Sequence, residues 1–340
     1  METRILGRTG LKVSAIGFGG IPIQGVPDAE AGAVVRAALG AGITFFDSAR
    51  GYTDSEAKLG RALEGARDRV VIATKSMARD AASMAKDVET SLANLRCGVI
   101  DLYQLHNVAA QDVLDRVLGP GGAYEALDRA RREGKIRFIG VTSHSRQALV
   151  RAIETGRFDT VQHPYNPLER EWRDDAIAAA RARGLGIIAM KPAAGGAISN
   201  VPAALRFALH DGVDVAIPGM DAVAQVVENA AAGAPLLPPS ADDLASYAAD
   251  AARWEGAFCR RCGYCKPCPN GLDVPFLLLI EAYYTRYDLH AWALERLAGL
   301  EKRYADCAAC GTCAERCPYG LRIPELLARA AQIVDGPRSC

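Results

Sequence analysis

The sequence predicts an α/β protein: a closed (β/α)8 TIM barrel with an N-terminal β-hairpin, followed by a small, mainly α-helical, cysteine-rich domain. Three observations carry that expectation. Apolar, β-rich runs alternate with Ala-rich helical stretches through the first two-thirds of the 340 residues. Eight such runs fall within about 230 residues, which suits a closed barrel. Eight of the ten cysteines then crowd into the span from Cys259 to Cys317.

In chain order, residues 3–14 read as a short hairpin around Gly7-Arg8-Thr9-Gly10. Strands are expected at 15–19, 43–47, 70–74, 100–105, 136–141, 159–162, 186–190 and 213–217. Helices are expected at 29–40, 55–65, 83–95, 122–133, 145–155, 173–183 and 201–210. Strands without a polar face, each followed by a helix, imply a parallel sheet buried on both sides. An open doubly wound sheet is the alternative, but it wants a Gly-x-Gly-x-x-Gly turn opening a helix after the first strand. Here Gly17-Phe18-Gly19-Gly20 runs on into Ile-Pro-Ile-Gln-Gly, so the fingerprint fails. The segment Gly233-Ala-Pro-Leu-Leu-Pro-Pro-Ser240 breaks any helix and marks a boundary. It divides the chain into domains at 1–235 and 240–340, with Ser240 the N-cap of a new helix. Residues 275–298, between the two cysteine groups, are apolar and helical in period.

Composition narrows the function. Lys and Arg number 40 against 40 Asp and Glu, so the basic excess of a nucleic-acid binder is missing. No apolar run approaches the ~20 residues of a membrane span, and Met-Glu-Thr-Arg-Ile opens no signal region. The expectation is a cytoplasmic protein with neither nucleic acid nor membrane as partner. In that compartment clustered cysteines point to metal rather than disulfides.

The cysteines form two motifs, Cys259-x-x-Cys262-x-x-Cys265-x-x-Cys268-Pro269 and Cys307-x-x-Cys310-x-x-Cys313-x-x-x-Cys317-Pro318. Three thiolates at three-residue spacing let a tight loop wrap one face of a cubane. In two-cluster ferredoxins the Cys before Pro serves the other cluster. By that rule Cys259, Cys262, Cys265 and Cys317 hold one [4Fe-4S] cluster, and Cys307, Cys310, Cys313 and Cys268 hold a second. The spacing before Cys268 is one residue shorter than the ferredoxin pattern, which leaves another pairing, or a single cluster, open. Structural zinc is the plainer alternative, but zinc ribbons separate their Cys-x-x-Cys pairs by ~15–20 residues. Cys97 reads as ordinary packing and Cys340 as an exposed tail thiol.

Four polar residues follow successive barrel strands: Asp47, Lys75 and His106 at strand ends, with Tyr52 five residues past Asp47. Singly, each has an ordinary explanation as a cap, a surface charge or a packing residue. Together they converge on one mouth, where barrel active sites form.

These residues lie within Phe46-Asp47-Ser48-Ala49-Arg50-Gly51-Tyr52, Thr74-Lys75 and Gln104-Leu105-His106. Gly140-Val141-Thr142-Ser143, Val161-Gln162, Met190-Lys191-Pro192 and Ile217-Pro218-Gly219 follow, ending in Glu228-Asn229. In order and spacing the chain resembles the aldo-keto reductase family over residues 3–233, and as a whole the subgroup with a C-terminal ferredoxin-like domain. The resemblance implies an NAD- or NADP-dependent oxidoreductase acting on a small carbonyl or alcohol. It makes Tyr52 the general acid, Lys75 the cation that lowers the tyrosine pKa, Asp47 the partner of Lys75, and His106 the group that orients the carbonyl. Thr142, Ser143 and Gln162 match positions that hold the carboxamide. Gly195 matches the pyrophosphate loop, and Glu228 and Asn229 the adenine contacts. Lys191, Pro218, Gly219 and Gln225 complete the cofactor set. The family's usual Lys, Ser and Arg partners of the 2′-phosphate are here Gly219, Met220 and Gln225, which favours NAD over NADP.

The clusters have three readings: a structural staple for a small tail, a wire to an external electron-transfer partner, or a centre acting beside the substrate. Two competing functions follow. One is an iron-sulfur redox enzyme whose barrel binds a non-nicotinamide substrate. The other is a non-catalytic binding or regulatory protein, against which the intact tetrad counts.

Overall fold

The structure is a computed structural model that describes residues 1–336; Cys340 lies outside the described residues. It divides into two compact units, Met1–Ala194 with Ile198–Tyr247, and Gly195–Ala197 with the chain from Ala248 onward.

The first unit opens on an antiparallel hairpin, β1 (Thr3–Ile5) and β2 (Lys12–Ser14), in register Thr3↔Ser14. Eight parallel strands follow: β3 (Phe18–Gly19), β4 (Phe45–Asp47), β5 (Val71–Ser76), β6 (Ile100–Leu105), β7 (Ile136–Thr142), β8 (Thr160–Pro164), β9 (Gly186–Met190) and β10 (Val215–Ile217). They pair in sequence order. The bridges Ile16↔Ala216 and Gly19↔Gly219 join the last strand to the first and close the barrel. All eight expected strands are present.

Strand period 2 explains the mouth. Phe45, Val71, Ala73, Leu102, Ile188 and Val215 form one apolar cluster inside the barrel, joined by Leu6, Leu11 and Val13 of the hairpin segment. Phe46, Ile72, Tyr103, Ile139, Val161 and Ile187 belong to a second, larger cluster under the helices. Two residues beyond the interior set, on the same face, stand Asp47, Lys75 and Gln104. The barrel interior is therefore apolar below and polar at the C-terminal rim.

The helices are α1 (Asp28–Gly40), α2 (Ser55–Ala62), α3 (Ala81–Leu95), α4 (Gln111–Leu118), α5 (Ala123–Arg132), α6 (Arg146–Glu154), α7 (Ala178–Ala182), α8 (Val201–His210), α9 (Val223–Ala231) and α10 (Ala241–Arg253). Two escaped the sequence reading, α4 and α9. Both carry a helical period, Val113, Leu114, Val117 and Leu118 in α4 and Val223, Val226, Val227 and Ala230 in α9, over segments of only eight and nine residues. The stretch expected at 173–183 begins as a π-helical turn, Arg173–Ile177, before α7. Helix α10 starts as expected: Ser240 Oγ accepts from Asp243 N at 3.1 Å, and Asp243 Oδ2 accepts from Ser240 N at 2.9 Å. Cys97 is half-buried against the outer core.

His163 on β8 is fully buried and stacks on Trp172 at 4.7 Å between ring centroids. Burial pushes its pKa down to about 4 from 6.5. The unfolded chain thus binds this proton first, and stability falls as pH drops from 6.5 through about 4. His163→Phe keeps the stack and should remove about 3 kcal/mol of that pH dependence, read as a flatter melting temperature against pH.

In the second unit α11 (Val274–Thr285) packs against α12 (His290–Ala298) and α14 (Ile323–Val334), with the single turn α13 (Thr312–Glu315) between. Helix α11 buries Val274, Leu277, Leu278 and Ile280. The Tyr304 hydroxyl donates to the Leu277 carbonyl at 2.7 Å inside this core.

Candidate active site and metal centre

Asp47 and Lys75 meet at the barrel mouth, both almost wholly buried (2% and 1% exposed). Lys75 Nζ lies 2.5 Å from Asp47 Oδ2 and donates to the Ser48 carbonyl at 2.8 Å. Burial pushes the Asp47 pKa up and the Lys75 pKa down, while the charge of each opposes the shift in the other. Such a pair is held by its mutual bond, and removing one partner strands the other charge. The Tyr52 ring centroid is 5.0 Å from Lys75 Nζ, and His106 meets that ring edge-on at 6.0 Å between centroids. All four residues singled out at strand ends and on the following loop converge.

The structure adds residues that sequence reasoning missed. Gln104, inside the barrel one strand from Lys75, donates from Nε2 to Asp47 Oδ1 at 3.2 Å and Gln162 Oε1 at 2.9 Å. It links the acid-base pair to the expected carboxamide position. Arg79 donates to the carbonyls of His106 and Asn107 at 2.8 and 3.0 Å, clamping the loop that carries His106. Only the strand parity marks Gln104, and nothing local marks Arg79.

The expected nicotinamide contacts divide. Thr142 and Gln162 are register partners at the rim. Thr142 Oγ1 accepts from Asn107 N at 2.8 Å, and Ser143 Oγ donates to the Ser145 carbonyl at 3.0 Å. Lys191 follows β9 with φ of 52°. Gly195 belongs to the second unit, where its carbonyl accepts from Arg286 Nε at 3.1 Å. Gln225 is turned back on its own helix: Oε1 accepts from Asp221 N and Ala222 N at 2.8 and 3.2 Å. Glu228 is exposed, whereas Asn229 is 3% exposed and its Oδ1 is buried without a hydrogen-bond partner. Such an orphaned acceptor suits a donor on a bound group.

Next to β10, Pro218 is buried, and Met220 is fully buried in the outer core. Gly219 is crowded: a Cβ there would meet Pro22 Cγ at 2.7 Å. Any side chain at this position would press on the Pro22 ring, which the glycine avoids.

In the second unit the cysteines gather in two quartets. Burial, with a smaller contribution from the thiols of Cys262 and Cys317, pushes Cys259 up to about 11. Burial likewise raises Cys265 to about 12, with Cys259, Cys262 and, from the other quartet, Cys313 contributing to the shift. Cys268, Cys307, Cys310 and Cys313 line one cavity of about 310 Å³. Each quartet mixes the two motifs, with Cys317 joining the first and Cys268 the second. The raised thiols of Cys259 and Cys265 keep their protons unless a cation lies among them, and each quartet offers four thiol donors of the kind an iron-sulfur cluster takes. Among the described residues no three His, Cys, Asp or Glu side chains are arranged around a single metal ion.

The two motifs share a backbone. Arg261 and Ala309, each before a second cysteine, have φ of 59° and 52°, and Gly263 and Gly311, each after it, 83° and 82°. The likeness continues past the last cysteine, through Cys268-Pro-Asn-Gly-Leu-Asp-Val-Pro275 and Cys317-Pro-Tyr-Gly-Leu-Arg-Ile-Pro324. Gly271 N bonds the Cys268 carbonyl at 2.9 Å and Gly320 N the Cys317 carbonyl at 3.1 Å. The two prolines then open α11 and α14. The repeat is a whole loop-and-helix unit, wider than the cysteine spacing suggests.

Comparison with known proteins agrees with both halves. Residues 15–203 match the model of the aldo/keto reductase family, and residues 258–322 that of a 4Fe-4S dicluster domain. The chain is 32% identical to L-galactose dehydrogenase of Arabidopsis thaliana, covering 59% of this chain and 68% of that one. It is 31% identical to 6-dehydroglucose reductase of Novosphingobium aromaticivorans, over 62% and 75%. An aldo-keto reductase from Klebsiella pneumoniae, solved in complex with NADPH, superposes with a TM-score of 0.62 at 26% identity, over 73% and 94%. One from Bacillus halodurans shares the fold, with a TM-score of 0.64 at 24% identity, over 74% and 96%.

Proposed function

The chain belongs to the aldo/keto reductase family and carries a 4Fe-4S dicluster domain, and on that premise we propose that it interconverts a small polyhydroxy carbonyl and its alcohol with NAD. Residues 1–235 carry the hydride chemistry and residues 240–340 hold two [4Fe-4S] clusters. The observation that carries the reading is the buried Asp47–Lys75 pair set against the Tyr52 ring, with His106 edge-on to it.

A bound nicotinamide supplies the hydride. Thr142, Ser143 and Gln162 hold its carboxamide and Asn229 its adenine. Tyr52 donates its phenolic proton to the carbonyl oxygen as that oxygen gains charge. Lys75, fixed by Asp47 and the Ser48 carbonyl, stabilises the phenolate left behind. His106 donates to the same oxygen and aligns it. Gln104 keeps Asp47 aimed at Lys75. The substrate class follows the named relatives, a galactose dehydrogenase and a dehydroglucose reductase.

The clusters, when bound, supply one-electron transfer. Cys259, Cys262, Cys265 and Cys317 hold one, and Cys268, Cys307, Cys310 and Cys313 the other. A wire to an external electron-transfer partner is the role we assign them.

Anaerobically purified protein, supplied with NADH and a panel of hexoses and their keto derivatives, tests the reading by stereospecific transfer of deuterium from labelled NADH to product carbon. Binding without transfer to any carbonyl would defeat it. Because Pro22 occupies the space beside Gly219, NADH should bind at least about tenfold tighter than NADPH. Gly219→Lys should destabilise the fold without rescuing NADPH, as read by nucleotide fluorescence titration and thermal melting.

A further inference from the structure

Behind the barrel mouth lies a buried carboxylate that the proposed reaction does not use. Glu56, in the first turn of α2, is 1% exposed. Each of its oxygens accepts two hydrogen bonds. Oε1 takes them from Thr74 Oγ1 at 2.7 Å and Ser91 Oγ at 2.8 Å. Oε2 takes them from Arg50 Nη1 at 2.6 Å and Asn94 Nδ2 at 3.2 Å. The donors belong to the loop after β4, to strand β5 and to helix α3. A buried network of this kind, with every oxygen satisfied, fixes its members in one arrangement.

Two of the donors adjoin the residues of the proposed chemistry. Thr74 precedes Lys75 on β5, and strand parity sends the two side chains to opposite faces. Lys75 meets Asp47 on one side of the strand, and Thr74 meets Glu56 on the other. Arg50 and Glu56 stand on either side of Tyr52 in the chain. Between them the backbone turns: Tyr52 N donates to the Ala49 carbonyl at 3.1 Å, and Ser55 N to the Tyr52 carbonyl at 2.8 Å. The Arg50–Glu56 ion pair therefore closes the base of the loop that carries Tyr52. The same arginine is tied to β5 by its main chain, since Arg50 N donates to the Lys75 carbonyl at 2.9 Å. Its Nε lies 3.7 Å from Asp87 Oδ1 on α3. Burial pulls the Lys75 pKa down, and the charge of Glu56, after that of Asp47, opposes the fall.

We propose that Glu56 is a positioning residue for the hydride chemistry: its ion pair with Arg50 closes the Tyr52 loop and pins it to the strand that presents Lys75. The inference rests on the reading that Tyr52 is the general acid. A displacement of about 1 Å can cost about 10²-fold in rate. A clamp at the base of the loop thus governs kcat without touching substrate.

The test uses the full-length protein with NADH and glyceraldehyde, a small polyhydroxy carbonyl. Glu56→Gln keeps the side-chain volume and an oxygen for Thr74 and Ser91, but its amide nitrogen cannot accept from Arg50. It should lower kcat about tenfold or more and leave KM for NADH within about twofold. Arg50→Met should do the same, and should also melt lower because Glu56 loses its counter-charge. The double variant strands no charge, so its melting temperature should recover while its kcat stays as low as that of either single variant. Amide exchange on the protein without nucleotide, read by mass spectrometry, should quicken over residues 48–55 in all three and stay unchanged over β5 and α3. A rate that recovers together with the melting temperature would overturn the positioning role, as would exchange that quickens evenly through α2, α3 and β5. Glu56→Gln at full kcat, beside a Tyr52→Phe variant that has lost its rate, removes this inference alone. Tyr52→Phe at full kcat, or wild type that transfers no hydride to glyceraldehyde or to the hexose panel, removes the general-acid reading and this inference with it.

Discussion

Tyr52→Phe should lower carbonyl reduction by about 10²–10⁴-fold and leave NADH binding within about twofold of wild type. The substitution removes one oxygen from a ring that keeps its place 5.0 Å from Lys75 Nζ and edge-on to His106. Only the transferable proton is lost, so the effect falls on kcat, which corresponds to about 3–5 kcal/mol of barrier. Lys75→Met makes the informative contrast. It removes the cation beside Tyr52 and leaves Asp47, 2% exposed, without its counter-charge. That variant should lose activity and about 3–5 kcal/mol of stability together. Lys75→Met with Asp47→Asn should recover part of the stability and none of the rate, because the buried charge is gone but the proton donor is still unassisted. Thermal melting and steady-state rates on the three variants separate the roles. Tyr52→Phe at full activity would show that some other group delivers the proton.

The barrel was legible because its βα alternation survives in composition alone, and the meeting of Asp47, Tyr52, Lys75 and His106 because each follows a β-rich run. Their orientation was not. Phe45 and Asp47 share a face, as do Ala73 and Lys75, yet both faces of each strand are apolar for most of its length, so parity shows only once the register is known. Gln104 falls in the same gap. It appears in the sequence as part of Gln104-Leu105-His106, and only strand pairing puts its amide between Asp47 and Gln162. The absent phosphate ligands could be read at Gly219 and Met220, but their physical reason could not. Pro22 lies almost two hundred residues earlier, and its approach to Gly219 depends on barrel closure. Gln225, read as a cofactor position, also caps α9 through its side chain, a contact that spacing alone does not announce. The shared Cys-Pro-x-Gly-Leu-x-(Val/Ile)-Pro segment stood in plain sequence, masked by attention to the cysteines.

Cysteine pairs should expose the crossed ligand pattern by iron count. Two cubanes carry about eight irons. If each quartet mixes the motifs, Cys259→Ala with Cys317→Ala damages one cluster twice and should leave about four irons. Cys259→Ala with Cys268→Ala damages both clusters and should leave almost none. Were each motif to hold its own cluster, the two results would exchange. The shorter spacing before Cys268 makes this more than a formality, since it is the one place where the sequence departs from the ferredoxin pattern. On the two-cluster reading, the geometry around Cys268 compensates for the shortening. Cys268 lines the cavity of Cys307, Cys310 and Cys313, and the Pro-x-Gly turn after it matches the one after Cys317, with Gly271 and Gly320 both at positive φ. The missing residue falls before the turn, so the turn itself and the helix it opens keep the geometry of the second copy. The same variants test whether the clusters also hold the unit together. Its described core is one group of helices around Leu277 and Leu327, and a small core of that kind gains much of its stability from bound metal. The pair that spares one cluster should therefore melt in a single shifted transition, while the pair that removes both should lose protection from proteolysis across α11 to α14, with the barrel's melting transition retained.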